Sequence, residues 1–96
     1  MEEAMAIKRA RVNVSGRVQG VYYRANTIET ARKLGLSGWV KNNMDGSVEA
    51  VFQGDELQVD KAIAWCHKGP PSAFVSDVTV KDETPVDEKS GFNVRY

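Results

Sequence analysis

The stretch IKRARVNVSGRVQGVYYRANTIETARKL, residues 7–34, changes its period midway, and that change decides how the chain folds. Ala10, Val12 and Val14 alternate with Arg9, Arg11 and Asn13, the period of a strand with one buried and one polar face. A first strand is predicted over about Ile7 to Ser15. Gly16-Arg17-Val18-Gln19-Gly20 has glycine at both ends and no apolar period, so it reads as a tight loop. From Val21 onward Tyr22, Ala25, Ile28, Ala31 and Leu34 recur at three-residue steps, which predicts a helix with those residues on its buried face. Gly35 then supplies a left-handed cap, and Leu36 makes the accompanying apolar contact.

Downstream, Ser37 to Asn43 reads as a second strand, and Met44-Asp45-Gly46-Ser47 carries the Asp-Gly signature of a hairpin. Val48, Ala50 and Phe52 alternate with Glu49, Val51 and Gln53 on a third strand. Asp55 is the expected N-cap of a second helix, with Gln58 three residues on and Val59, Ala62, Ile63 and Cys66 as its buried stripe. Gly69-Pro70-Pro71 stops that helix. Phe74, Val78 and Val80 continue on a fourth strand, and Phe92, Val94 and Tyr96 alternate on a short fifth one. The order strand-helix-strand-strand-helix-strand, with one strand appended, is that of an α+β, ferredoxin-like split βαβ sandwich. Two helices are expected on one face of a mainly antiparallel sheet. That architecture hosts many unrelated activities, so function must be read from a site.

The 96 residues are those of one domain, expected to span residues 1–96 with about 1–6 as a flexible tail. With 42% hydrophobic and 27% charged residues, a folded core is the expectation. Thirteen Lys+Arg balance thirteen Asp+Glu, so no excess field draws in nucleic acid or an anionic membrane. One cysteine, Cys66, and one histidine, His67, exclude an internal disulfide and a Cys/His zinc site. No cofactor is expected, and no metal ligands are assigned. The first ten residues build no apolar signal region, and no segment approaches the ~18 apolar residues of a membrane span. A cytoplasmic location and a monomer are the expectations.

The two helix starts disagree. The second opens with Asp55 and Glu56, as the positive end of a helix dipole prefers, whereas the first turn Val21-Tyr22-Tyr23-Arg24 has no acid and one arginine. A local rule broken at one point suggests function. The glycines of the preceding loop let backbone approach a ligand, and the free amides at the helix start point to the same place. Loop, helix start and Arg24 together describe an anion cradle, most naturally for phosphate, with Arg17 as a second candidate ligand. The plainer alternative is a simple turn followed by a solvated arginine. Tyr22 and Tyr23 read as core packing. Asn42 is unusual in a strand, or else merely begins the hairpin. His67 has no serine partner for a triad, and Asp77, Asp82 and Asp87 have no metal-ligand spacing and read as surface charge.

The run Gly16-Arg17-Val18-Gln19-Gly20-Val21-Tyr22-Tyr23-Arg24 strongly resembles the acylphosphatase signature, glycine-x-valine-glutamine-glycine-valine followed by two residues and arginine. Leu34-Gly35-Leu36-Ser37-Gly38-Trp39-Val40-Lys41-Asn42 resembles that family's second block, with Asp45-Gly46-Ser47-Val48-Glu49 just after it. The resemblance covers nearly the whole chain and is weakest over the first five residues and Asp82 to Gly91. It implies that Arg24 binds phosphate, that Asn42 holds the attacking water, and that Gly16, Arg17, Val18, Gln19, Gly20 and Val21 form the phosphate cradle. Tyr23 departs from the phenylalanine usual in the family, so its hydroxyl needs a partner if buried.

The implied reaction is hydrolysis of a small-molecule acyl phosphate to a carboxylate and inorganic phosphate, the latter also a competitive inhibitor. The leaving carboxylate has a pKa of about 4, so no general acid need protonate it. Two other readings stand beside this one: a module that binds phosphate without turnover, and single-stranded RNA binding on the open sheet. Zero net charge and the lack of an aromatic-glycine RNA signature argue against the second.

Overall fold

A computed structural model describes residues 6–87 and 91–96, so the expected tail, apart from Ala6, lies outside the described residues. The elements are β1 (Ile7–Arg17), α1 (Tyr23–Lys33), β2 (Ser37–Asn42), β3 (Val48–Asp55), α2 (Glu56–Lys68), β4 (Phe74–Glu83) and β5 (Phe92–Val94). The strands form one sheet in the order β4-β1-β3-β2-β5. Among the described residues β2 and β5 pair in parallel, and the β1–β3, β1–β4 and β2–β3 pairs are antiparallel.

The alternation in β1 and β3 sets the register. Ala10 faces Phe52, Val12 faces Ala50 and Val14 faces Val48, and these residues are buried with Tyr23, Ala31, Val59, Ala62 and Cys66 from the helices. Both helices therefore cover the same face. Phe92 closes the far edge of this core, stacked on Phe52 at 5.3 Å, while the Arg32 Nε donates to the Phe92 carbonyl at 3.1 Å. On the opposite face Arg11 bridges Glu83 at 2.6 Å and also pairs with Glu49. The Arg11 guanidinium holds the Glu83 carboxyl below the usual carboxylate range. Val51, expected among the polar positions, is buried on this face between Arg11 and Trp39. The Trp39 ring lies beneath Arg95 at 4.5 Å and Arg11 at 5.4 Å.

Three expectations are corrected. The buried residues of α1 are Tyr23, Thr27 and Ala31, while Tyr22 and Ala25 are exposed. A three-residue step falls ~60° short of a full helical turn, so a run of such steps winds around the helix. Steps of four hold one face better, and the structure uses them. Asp55 occupies the N-cap position of α2 without a side-chain capping bond, because it is still paired with Ile7 in the sheet; the Glu56 amide donates to the Ala6 carbonyl at 2.9 Å instead. Phe74 and Val80 lie on β4 as expected, exposed at the sheet edge, whereas β5 ends at Val94, so Tyr96, expected on that strand, is exposed beyond it. The cap of α1 is as expected: the Leu36 amide donates to the Ala31 carbonyl and the Gly35 amide to the Arg32 carbonyl, the paired bonds of a Schellman motif.

Candidate active site

The first strand runs two residues past its expected end, because Gly16 and Arg17 continue the pairing with β4 across a register shift. A Cβ on Gly16 would lie 2.2 Å from the Phe74 carbonyl oxygen. Only glycine permits that approach, so Gly16 fixes where the loop leaves the sheet. Val18 and Val21 then turn their side chains into the core.

Gln19 anchors the loop from the other side. Its Nε2 donates to the Asn43 carbonyl at 2.8 Å and the Ser47 carbonyl at 2.9 Å, both in the β2–β3 hairpin. That hairpin is itself braced: Asp45 Oδ1 accepts from the Ser47 hydroxyl at 2.6 Å and the Ser47 amide at 2.9 Å. The same bonds hold the Asp45 carboxyl below the usual carboxylate range, the hydroxyl contributing most. Ser72, from the turn after α2, donates its hydroxyl to the Val21 carbonyl at 2.8 Å. The loop is thus held on two sides before it enters α1.

Helix α1 begins abruptly. Tyr22 precedes it with φ 65 and ψ 19, the only non-glycine residue at positive φ among the described residues, a conformation costing an L-residue about 1–2 kcal/mol. The first intrahelical bond runs from the Asn26 amide to the Tyr22 carbonyl, which leaves the amides of Tyr23, Arg24 and Ala25 without a place in the helical ladder. The first turn contains no acid. Arg24 has no ion pair among the described residues, and its guanidinium lies 5.8 Å from the Tyr96 ring centre.

Val18, Gly20, Tyr22, Tyr23, Arg24, Ala25 and Asn42 line one cavity of about 320 Å³ at this helix start. Asn42 ends β2. Its Oδ1 is buried and accepts no hydrogen bond, a situation native proteins rarely leave without a reason. Of the sequence-predicted residues the structure gathers Arg24, Asn42, Val18 and Gly20. Gly16, Arg17, Gln19 and Val21 do not line the cavity; Arg17 is exposed opposite Phe74, and the other three support the loop.

Among the residues that line the cavity there is no Ser, Thr, Cys, His, Asp or Glu. The Tyr23 hydroxyl is buried and donates to the Cys66 carbonyl at 2.7 Å, so the polar atom that distinguishes it from phenylalanine is satisfied. Burial raises this phenol well above its ordinary range and pushes the Cys66 thiol up to about 12. His67 is exposed on α2, its Nδ1 donating to the Ile63 carbonyl at 3.1 Å. Among the described residues no three His, Cys, Asp or Glu side chains converge as metal ligands. No helix there is long and apolar enough to cross a membrane.

The acylphosphatase family profile matches residues 10–94. The chain belongs to the acylphosphatase family. The acylphosphatase of Rubrobacter xylanophilus is 54% identical over 95 residues, 99% of this chain and 86% of that one. The solved acylphosphatase of Coxiella burnetii superposes with a TM-score of 0.87 at 39% identity, covering 93% of each chain. That of Bacillus subtilis gives 0.88 at 34% identity, covering 93% of this chain and 99% of its own. The ferredoxin-like arrangement read from the element order is therefore the family's own. Spacing did not reveal three features of the site: the brace from Gln19, the left-handed Tyr22 and the ring of Tyr96. The first and last join residues far apart in the chain, and Tyr22 read as core packing, with nothing in its side chain to announce the left-handed backbone.

Proposed function

We propose that this acylphosphatase-family chain hydrolyses small-molecule acyl phosphates to a carboxylate and inorganic phosphate, with Arg24 and the 16–21 loop holding the phosphate and Asn42 orienting water. The observation that carries the reading is that one cavity is lined both by Arg24, which has no ion pair among the described residues, and by Asn42, whose buried Oδ1 has no hydrogen-bond donor. A phosphoryl group gives the guanidinium an anion to pair with, and the Asn42 amide at the cavity wall orients the water. The guanidinium presents a planar fork of donors to phosphate oxygens. The amides of the loop and of the α1 start add donors aimed at the same charge.

In the reaction the water oxygen attacks phosphorus in line with the departing acyl oxygen. The P–O bond to the acyl group breaks, a carboxylate leaves, and the water's proton passes to a phosphate oxygen. Phosphoryl transfer of this kind depends on positioning and charge stabilisation, which fixed donors provide. No covalent phosphoenzyme is needed, and the positive charge comes from Arg24 and the amides without a protein-held metal. Inorganic phosphate, retaining the group that the cradle binds, competes with substrate.

The test is hydrolysis of an aromatic acyl phosphate by wild type, Arg24→Ala and Asn42→Ala, with chelator present. Turnover by wild type that both variants lose supports the assignment. Turnover abolished by chelator removes the metal-independent mechanism, and a folded wild type that binds phosphate without turnover makes the domain a binding module.

A further inference from the structure

We infer that Tyr22 is the platform on which the acyl group rests, giving this chain a preference for flat, aromatic acyl phosphates over small aliphatic ones; this rests on the acyl-phosphate reading above. Tyr22 is 78% exposed and has the backbone conformation for which glycine is the default residue. Burial does not account for a ring there, and its side chain makes no capping bond. The conformation is imposed from the backbone: Asn26 donates both its amide, at 3.1 Å, and its Nδ2, at 2.8 Å, to the Tyr22 carbonyl. The result is a large aromatic side chain kept in water at the lining of the cavity that holds Arg24 and Asn42.

The two ends of the substrate need different surroundings. Its phosphate is matched by charge and amides, whereas its acyl end is carbon and must extend away from them. At about 320 Å³ the cavity sits near the lower bound of ligand pockets, ~300–1,000 Å³, and exceeds what a phosphate group fills. Beyond Arg24 and Asn42 the exposed lining is Tyr22, Gly20 and Ala25. Gly20 and Ala25 offer almost no side-chain surface, so among the exposed residues of the lining itself the Tyr22 ring is the broad apolar face; the Tyr96 ring lies outside that lining, on the guanidinium of Arg24. A ring stacks best on another flat π-system.

The experiment compares kcat and KM for benzoyl phosphate and acetyl phosphate in wild type, Tyr22→Phe, Tyr22→Ala and Tyr22→Gly. The expected result is a benzoyl-to-acetyl ratio of kcat/KM that falls about two- to tenfold in Tyr22→Ala, the range of one ring–ring contact, and falls through KM. Tyr22→Phe keeps the ratio. Tyr22→Gly, which removes the ring and the strained backbone together, matches Tyr22→Ala if the ring is responsible. A ratio unchanged in Tyr22→Ala, or lost equally in Tyr22→Phe, overturns the platform while leaving the hydrolytic reading intact. Wild type that hydrolyses neither compound overturns the hydrolytic reading, and the platform with it.

Discussion

At the start of α2 the first amide is taken up by the Ala6 carbonyl and Glu56 supplies an acid to the first turn. At the start of α1 there is no acid, an arginine stands second, and a tyrosine is held in a left-handed conformation. Both helices pack on the same sheet face and contribute to the same core. What separates them is that the first amide of α2 finds its partner within this chain, whereas on the reading proposed above the donors at the α1 start take theirs from a bound anion. A first-turn cation forgoes about 0.3–1 kcal/mol that an acid contributes in that position. Adding the backbone cost of Tyr22, the molecule concentrates its local disadvantages at one point, and an anion bound there would offset the electrostatic part of them.

The strongest way to break this contrast is to remove the cation. Arg24→Ala is expected to lower kcat/KM for an acyl phosphate by at least 10²–10³, about 3–4 kcal/mol, as for other preorganised charge contacts. If phosphate binds the folded chain at this site, millimolar phosphate is expected to raise the Tm of wild type and that of Arg24→Ala far less. An equal rise in both proteins would remove the anion from the α1 start. Asn42→Ala comes next, with kcat reduced on the order of a hundredfold and the phosphate inhibition constant moved much less. Loss of phosphate inhibition to the same degree as in Arg24→Ala would show that the two residues do not divide the work.

Two smaller changes sharpen the contrast by loosening the α1 side alone. Gln19→Ala removes both bonds from the loop to the hairpin. The Ser47 carbonyl still accepts from the Asn43 amide and the Asn43 carbonyl from the Gly46 amide. Denaturation should therefore report a loss of about 1–2 kcal/mol rather than the full penalty of orphaned groups. Turnover should fall on the order of tenfold as the cradle loses its fixed position. Tyr96→Ala removes the ring beside the guanidinium. An exposed cation–π contact is worth about 0.5–1 kcal/mol, so phosphate inhibition should weaken about two- to fivefold while Tyr96→Phe stays near wild type.

The sheet was legible because period two is written directly in Ala10-Arg11-Val12-Asn13-Val14 and continues in β3. The phase of α1 was not, since the apolar residues at three-residue steps belong to no single face and the true face includes a polar residue, Thr27, whose hydroxyl is satisfied by the Tyr23 carbonyl at 2.7 Å. Arg24 and the loop stood out through a local violation of helix electrostatics, and Asn42 through its position in a strand. That these residues meet in one cavity is a matter of topology, because β2 must return beside β3 to bring Asn42 to the α1 start. The contacts of Gln19 and Tyr96 join residues 24 or more positions apart, and no local pattern encodes them.

The smallest effect makes the sharpest comparison, because it asks α1 to begin as α2 does. Arg24→Glu and Arg24→Gln both lose the contact with Tyr96 and both are expected to be inactive, so their difference isolates the charge. If the amides at the α1 start are open, the glutamate variant should be more stable than the glutamine variant by about 0.3–1 kcal/mol at low salt. In a domain of this size that is a Tm difference of a few degrees, since ~1 kcal/mol corresponds to about 4–8 °C. The gap should shrink in 1 M salt, where the screening length is about 3 Å. Equal stability of the two variants at low salt would mean that the first-turn amides are already satisfied, and the contrast between the helix starts would then rest on Arg24 alone.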